Sequence, residues 1–149
     1  MSDSFHITLE EAHTPEALQQ ARAIREQVFT VEQGIPAELV HDGLDAAALH
    51  VLAWHDGAPA ATGRLAIAAN GEGVLARIAV LPAYRGQGLG KRVVQRLEDL
   101  ARREGLAVVS LKPHHYLETF YAGLGYETVP GSFTTAGPHP LITMTKRLD

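Results

Sequence analysis

A glycine-rich run that begins with an arginine, Arg85-Gly86-Gln87-Gly88-Leu89-Gly90, is the segment of this chain whose residue types point most directly to chemistry. It lies between an apolar stretch, Leu75 to Leu81, and an amphipathic stretch that begins near Leu89. Glycines allow positive φ angles and let a ligand come close to the backbone. A turn that enters a helix leaves backbone N–H groups unpaired at the positive end of the helix dipole. The run therefore predicts an anion site, most often one for phosphate, to which Arg85 can add a charged donor.

The spacing of the glycines excludes two common phosphate-binding motifs. The Walker motif needs a glycine five residues before its Gly-Lys pair and a hydroxyl residue after it, but Gly90-Lys91 has Arg85 and Arg92 at those positions. The dinucleotide fingerprint G-x-G-x-x-G fails because its third glycine would fall on Lys91 or Val93. The remaining pattern is Arg-x-x-Gly-x-Gly, for which an ordinary turn without a ligand is the alternative interpretation.

Hydrophobic periodicity and turn residues predict the elements that must position this run. Asp56-Gly57 and Asn70-Gly71 are hairpin signals, so three consecutive antiparallel strands are expected before the run. The predicted order begins with an edge strand from Phe5 to Leu9, a helix capped by Thr14 and ending near Val31, and an unassigned stretch 36–48. Three strands follow, at 49–54, Thr62 to Ala68 and Gly73 to Leu81, and then a helix from Leu89 to about Gly105. The chain ends with a buried strand from Val108 to Leu111, a short helix from Tyr116 to Leu124, and two strands, Tyr126 to Val129 and Ile142 to Thr145, joined by a Pro/Gly-rich connection 130–140. This order predicts an α+β fold with mixed strand pairing.

Composition narrows the classes of function. The 149 residues indicate one domain, and a net charge of −4 disfavours non-specific nucleic-acid binding. The absence of cysteine excludes disulfides and a thiolate nucleophile and favours a cytoplasmic location. Neither a signal peptide nor a membrane-spanning stretch is expected from the pattern of apolar residues. The eight histidines lack metal-binding spacing, so no metal is expected.

Three motifs carry a resemblance to a known family. Val80 to Gly90 resembles the acetyl-CoA motif of the GNAT superfamily of N-acetyltransferases, and Phe120 to Tyr126 resembles its second conserved element. Arg25 to Gln33, followed by Asp42-Gly43-Leu44-Asp45 and His50, is similar to the ElaA-like group. The resemblance covers nearly the whole chain and implies a single GNAT domain over residues 1–149.

Two positions depart from the pattern of that group. Leu141 stands where its members usually have a histidine, although His139 lies two residues earlier. His114 stands where many members carry an amide side chain that contacts the cofactor.

The fold and the cofactor follow from the resemblance. It implies a mixed, mostly antiparallel sheet of about six to seven strands, flanked by helices and splayed at the central parallel strand pair. It also implies acetyl-CoA as co-substrate, with the pyrophosphate on the glycine run and the pantetheine arm along the preceding strand. The residues expected to bind it are Ile78, Ala79, Val80, Arg85, Gly86, Gln87, Gly88, Leu89, Gly90 and Lys91.

The resemblance also implies the catalytic roles. Tyr121 occupies the position that faces the departing sulfur and is expected to protonate it. A lysine-like amine has a pKa near ~10.4, so attack at neutral pH needs a proton acceptor. The candidate bases are Glu32, Asp42, Asp45 and His50, and Glu32, acting through water, is the one expected. The expected contacts of the amine are Arg25, Asp42, Asp45 and His50.

The sequence thus predicts an N-acetyltransferase that moves the acetyl group of acetyl-CoA to a primary amine by direct attack, without a metal. The acceptor is either a small molecule or a protein amine, and neither a nucleic acid nor a membrane is expected as a partner. A homodimer is left open. The alternative is a non-catalytic acyl-CoA-binding module, which would keep the glycine run and dispense with Tyr121.

Overall fold

The structure is a computed structural model that describes residues 6–149 of the chain. Its elements are β1 (Ile7–Glu11), α1 (Pro15–Arg25), a π-helical continuation of it (Glu26–Glu32), α2 (Ala37–Val40), a 3₁₀ turn (Asp45–Ala47), β2 (Leu49–His55), β3 (Ala58–Ile67), β4 (Gly73–Val80), a 3₁₀ turn (Pro82–Tyr84), α3 (Leu89–Arg103), β5 (Val108–Leu111), a 3₁₀ turn (His115–Leu117), α4 (Glu118–Ala122), β6 (Glu127–Thr128), β7 (Thr134–Ala136), β8 (His139–Leu141) and β9 (Met144–Arg147). No helix among the described residues is long and apolar enough to cross a membrane.

Seven of the described strands form one sheet in the order β1-β2-β3-β4-β5-β9-β6. The first four pair antiparallel through successive hairpins, because Asp56-Gly57 and Gly71 adopt the positive φ angles that tight turns require. β5 pairs parallel with β4 and antiparallel with β9. The predicted mixed sheet of six to seven strands is thereby confirmed.

The parallel pair opens along its length. β4 and β5 share only two registered positions, Gly73 with Val109 and Val74 with Ser110, although β4 continues to Val80. On its other side β4 carries one extra residue against β3 near Arg77, which has a φ of 55°. A bulge of this kind bends its strand. The sheet therefore splays between β4 and β5, as the sequence predicted.

Helix α3 covers the sheet beside this opening. Its buried residues recur at helical spacing, as predicted: Leu89, Val93, Val94, Leu97, Leu100 and Ala101. The helix packs so closely on β3 that a Cβ added at Gly63 would lie 2.7 Å from Cγ1 of Val93 and 2.8 Å from Cδ1 of Leu97. The start of α3, which follows the glycine run, is thus fixed against the middle of the sheet.

Helix α1 begins as predicted, because the Thr14 side chain accepts a hydrogen bond from the Ala17 N–H at 3.1 Å. Beyond Arg25 the chain continues as a π-helix to Glu32. Periodicity does not reveal that change, and π-helical turns are frequent at functional sites. The turn sets the direction in which Glu32 leaves the helix.

Several predicted boundaries were wrong. The first strand lies two residues later than predicted, and its predicted start, Phe5, is outside the described residues. β3 begins at Ala58 rather than Thr62. The connection 130–140 contains the β7-β8 hairpin, which pairs with itself and not with the main sheet. Pro140 obscured this short strand, since proline is confined to strand edges.

Candidate active site

The glycine run lies at the junction of β4 and α3, where the sequence placed it. Gly86 and Gly88 have φ angles of 80° and 78°, a region that disfavours residues with a side chain. A Cβ at either position would meet no atom within 4 Å, so the turn needs these glycines for their conformation while the space beside them stays open. A cavity of about 230 Å³ adjoins the run, and its lining residues are Val80, Tyr84, Arg85, Gly86, Gly88, Leu89, Gly90, Lys91 and Phe120.

Backbone donors at the start of α3 are available to a ligand in this cavity. Arg92 donates its N–H to the Gly88 carbonyl at 3.2 Å. Within residues 6–149, the N–H groups of Leu89, Gly90 and Lys91 make no hydrogen bond. Unpaired N–H groups at the positive end of a 15-residue helix suit an anionic group. The residues present therefore fit a phosphate or pyrophosphate.

Arg85 forms an exposed, bidentate ion pair with Glu32. Its Nη1 and Nη2 donate to the two carboxylate oxygens at 2.6 and 2.7 Å, and its Nε donates to the Val80 carbonyl at 2.9 Å. These hydrogen bonds lower the pKa of Glu32 and raise the pKa of Arg85. The ion pair thus joins Arg85, which the sequence assigned to cofactor binding, and Glu32, to which it assigned the role of base. Glu32 is not among the described residues that line either cavity.

A second cavity, of about 430 Å³, lies where β4 and β5 diverge. Most of its lining is apolar: Phe29, Ile35, Leu39, Val40, Leu44, Val74, Leu75, Ala76, Ile78, Leu111, Pro113, Leu117 and Leu141. Its polar lining residues are Asp42, Arg64, Arg77, Lys112, His114 and Tyr121. Its volume and its mainly apolar wall, with a few polar groups, are typical of small-molecule sites. We call it the acceptor cavity.

The end of β4 contributes a residue to each of the two cavities. Ile78 lines the acceptor cavity and Val80 lines the smaller one, while Ala79 is buried against the core beneath α1. Beyond Val74, β4 has no registered partner on β5 in the described part of the chain. An extended ligand can therefore run along this strand from the glycine run into the acceptor cavity.

Tyr121 reaches the acceptor cavity from α4. Its residue is only 5% exposed, and its ring packs edge-on against Phe120 and Tyr126, with centroid distances of 4.9 and 5.8 Å. Tyr126 is itself held by a 2.7 Å hydrogen bond from its hydroxyl to buried Glu98. Burial raises the pKa of Tyr121 to about 12. The phenol is therefore protonated at neutral pH and positioned by its neighbours, so it can donate a proton.

The acidic segment that the sequence assigned to the amine is engaged within the protein. Asp45 accepts hydrogen bonds from Nη1 of fully buried Arg25 at 2.8 and 2.9 Å, and another from Nε of Arg22 at 3.2 Å. Nη2 of Arg25 donates to Nδ1 of His50 at 2.8 Å, and Nε2 of His50 donates to the Asp45 carbonyl at 2.9 Å. Burial opposes ionisation of Asp45, but Arg25, Arg22 and Arg64 together outweigh it and lower the pKa of Asp45 to about 2.

The same arrangement extends to two arginines that sequence reasoning did not select. Nη1 and Nη2 of Arg64 donate to the Asp42 carboxylate at 2.8 and 2.7 Å, and Nη2 of Arg77 donates to it at 3.1 Å. The Arg64 hydrogen bonds hold the pKa of Asp42 well below its usual range. Arg64 is 3% exposed in an otherwise apolar strand. A charged residue in a buried strand was the signal that could have found it.

His114 and His139 form a pair at the edge of the acceptor cavity. Nε2 of His114 lies 3.1 Å from Nδ1 of His139, which is a hydrogen-bonding distance. Burial, and secondarily His139, lower the pKa of His114. No third residue completes a metal-ligand group here, nor anywhere else among residues 6–149. His114 is therefore a neutral imidazole at pH 7 that can accept a proton.

Comparison with known proteins gives the family of this chain. The profile of the Acetyltransferase (GNAT) family matches residues 14–126. A presumed acetyltransferase of Bacillus subtilis (strain 168) is 37% identical over 130 residues, which span 85% of this chain and 88% of that protein.

Two solved structures are similar over almost their full length. An acyl-CoA N-acyltransferase from Pseudomonas aeruginosa is 31% identical with a TM-score of 0.84, and the match covers 96% of this chain and 99% of the other. ElaA from Escherichia coli is 25% identical with a TM-score of 0.83, and the match covers 95% and 99%. The ElaA-like resemblance seen in the sequence is thereby confirmed. The chain belongs to the GNAT family of acetyltransferases.

Proposed function

We propose that this protein is an N-acetyltransferase that uses acetyl-CoA and transfers the acetyl group directly to a primary amine. The observation that carries the proposal is that the end of β4 lines two cavities, one beside the glycine run through Val80 and one that contains Tyr121 through Ile78. The free N–H groups of α3 suit the pyrophosphate, and the diverging edge of β4 suits the pantetheine arm.

When bound, acetyl-CoA would supply an acyl thioester, a carbonyl carbon that an amine can attack. The nitrogen–carbon bond forms and the carbon–sulfur bond breaks, so the leaving thiolate needs a proton and the new ammonium must lose one. Tyr121 supplies the first proton, because its buried phenol is still protonated at pH 7 and lies in the acceptor cavity. A backbone N–H near Val80 is the proposed hydrogen-bond donor to the carbonyl oxygen, by analogy with other acyl-transfer sites.

Two residues compete for the role of base. Glu32 stays a prediction, and its ion pair with Arg85 makes it a weaker proton acceptor in the structure. His114 lines the acceptor cavity, and its Nε2 lies at hydrogen-bonding distance from Nδ1 of His139. We therefore propose His114 as the first proton acceptor. Arg25, Asp42, Asp45 and His50 would serve the acceptor indirectly, by fixing the wall of that cavity.

Experiment distinguishes the proposed enzyme from the two alternatives that the sequence left open, a non-catalytic module and an enzyme that acts on a protein amine. A non-catalytic acyl-CoA-binding module would bind acetyl-CoA without releasing CoA. A protein amine is less favoured as acceptor than a small molecule, because the acceptor cavity is mainly apolar and is recessed between strands. A cytoplasmic location, supported by the absence of cysteine, and a homodimer both stay proposals.

Release of free CoA from acetyl-CoA in the presence of an amine library tests the function. The chain has no cysteine, so a thiol reagent detects only the product. Tyr121→Phe should lower kcat by roughly 10²–10⁴-fold and leave the KM for acetyl-CoA nearly unchanged. Acetyl-CoA that binds without any CoA release would support the non-catalytic module. No binding at all would refute the proposal.

The pH profile separates the two candidate bases. If His114 accepts the proton, His114→Gln should lower kcat/KM and make its decline less steep as the pH falls through the pKa of that imidazole, below the ordinary value of 6.5, because only protonation of the amine still contributes. His115→Gln is the matched control, since its side chain is 54% exposed and lies one residue away. If Glu32→Gln changes the profile and His114→Gln does not, the base is Glu32.

A further inference from the structure

The charged groups of the acceptor cavity are unbalanced. Asp42 is the single carboxylate among its described lining residues, whereas Arg64, Arg77 and Lys112 contribute three cations. Behind this wall, Asp45 is shared among Arg22, Arg25 and Arg64. Four arginines and one lysine thus face two aspartates. The cavity carries an excess of positive charge that no described side chain neutralises.

The one carboxylate is unavailable to a ligand. Asp42 accepts both Arg64 hydrogen bonds, a third from Arg77, and a fourth from the Leu44 N–H at 3.1 Å. A cationic group that entered the cavity would meet the arginines without a free partner. This disagrees with the expectation that Asp42 and Asp45 contact the amine.

Three cationic side chains of the wall keep free donors, and one of these donors, Nε of Arg64, is a buried atom without a hydrogen-bond partner among the described residues. Lys112 directly follows β5 and is exposed, and it forms no hydrogen bond or ion pair within the described residues. Nη1 of Arg77 also makes no hydrogen bond there, while its Nε and Nη2 are held by the Val40 carbonyl and by Asp42. A guanidinium or ammonium group with free N–H donors binds a carboxylate through charge-assisted hydrogen bonds. Both residues line the acceptor cavity, Arg77 from the bulge of β4 and Lys112 from the position directly after β5.

We infer that the acceptor is a small amine that carries a carboxylate and an apolar body, which is the class of the apolar amino acids. The carboxylate binds Arg77 and Lys112, and the body packs against the apolar lining that includes Phe29, Ile35 and Leu117. The amine is then presented to the thioester near Tyr121. This inference rests on the proposed N-acetyltransferase function and names its substrate class.

Matched amines test the inference by turnover. Leucine, phenylalanine and methionine are each compared with the corresponding primary amide and with the amine that lacks the carboxyl group, using release of CoA as the readout. The free acids should react with a kcat/KM roughly tenfold or more above that of the neutral partners. The amides are the stringent control, because their amines are less basic and intrinsically more reactive at neutral pH.

Variants test the two cations. Lys112→Met should reduce the preference for the acids roughly tenfold through KM, with little change toward the neutral amines. Arg147→Met removes an exposed cation at the far end of the neighbouring strand β9 and should leave the preference unchanged. Arg77→Met should act like Lys112→Met, and circular dichroism with a thermal melt identifies any loss of folding at that bulge.

Binding separates failure of this inference from failure of the proposed function. Calorimetry with N-acetyl-leucine and N-acetyl-leucinamide, in the presence of free CoA, measures the carboxylate preference without turnover. Preference for the acid, lost in Lys112→Met, supports the subsite even if no amine is acetylated. Equal binding of acid and amide, binding of neither, or faster acetylation of the neutral amines would overturn the inference, and in the last case the enzyme activity itself would stand.

Discussion

Replacing Asp45 by asparagine should destabilise the fold by about 2–4 kcal/mol while leaving the affinity for acetyl-CoA unchanged. Asp45 contacts three guanidinium groups, those of Arg22, Arg25 and Arg64. Arg25 is fully buried, so its charge has no access to water when the carboxylate is removed. Asparagine keeps the shape of the side chain but removes the charge and replaces one acceptor oxygen by an NH2 donor, so the experiment measures the loss of the ion pairs together with their hydrogen bonds.

Two routes give this magnitude. The pKa of Asp45 falls from 3.8 to about 2; the difference of about 1.8, at about 1.4 kcal/mol per pKa unit, corresponds to about 2–3 kcal/mol. The side chain is only 12% exposed, so screening by solvent takes away little of that amount. Removing one partner of a buried ion pair costs about 3–5 kcal/mol, and the asparagine oxygen still accepts one hydrogen bond.

Urea unfolding at two pH values checks both the size and the sign. The folded-state pKa lies below the unfolded one, so the stabilisation is present above pH 3.8 and is lost as the pH falls toward about 2. The gap between wild type and Asp45→Asn should therefore be full at pH 7 and smaller at pH 3. Asp56→Asn is the control, since its side chain is 63% exposed in a hairpin turn.

Two outcomes would contradict this prediction for Asp45→Asn. If Asp45→Asn unfolds like wild type but shows a raised KM for the amine, Asp45 contacts the substrate directly, as the sequence alone suggested. A stability loss that is the same at pH 3 and pH 7 would show that the charge of the carboxylate is not what stabilises the wall.

Three further predictions follow from local geometry. Gly63→Ala should lower the free energy of unfolding in urea by about 1–3 kcal/mol, because its Cβ would overlap Val93 and Leu97. Gly88→Val should abolish calorimetric binding of acetyl-CoA with the fold largely intact, because a β-branched residue is strained at a φ of 78° and would fill the open space beside the backbone. Glu32→Gln should tighten acetyl-CoA binding about two- to fivefold, because it frees Arg85 from an exposed ion pair.

Each of these predictions has a control variant or an outcome that would contradict it. Gly90→Ala should not destabilise the fold, because its Cβ would lie an ordinary 3.7 Å from Val80. Unchanged acetyl-CoA affinity in folded Gly88→Val would remove the glycine run from the cofactor site. Weaker acetyl-CoA binding in Glu32→Gln would mean that the ion pair supports the glycine run instead of competing with the phosphate.

Local features of this protein could be read from the sequence because they depend on neighbours along the chain. The glycine run enters α3 with the positive φ angles that its residues allow, and Thr14 caps α1 through a group three residues away. The spacing of the apolar residues in α3 and in β5 predicted which faces of these elements are buried. Family motifs then added the order of the strands.

The partners of charged side chains could not be read in this way. Glu32 and Arg85 are 53 positions apart and meet because the π-helical turn directs Glu32 toward the glycine run. Asp42 pairs with Arg64 and Arg77 because the loop after α2 folds over β3 and β4. Residue type shows that a carboxylate is present, but only tertiary packing determines whether its oxygens are free.

The acceptor side of the site therefore belongs to the tertiary structure. The sequence alone revealed the family resemblance and predicted an anion site at the glycine run and a catalytic role for Tyr121, because short motifs encode these features. Only the fold showed that the aspartates are already paired, that Arg77 and Lys112 keep free donors, and that His114 lies in the acceptor cavity. The physical reason is that the charge of a cavity is a sum over residues brought together from distant strands, and that sum has no local signature.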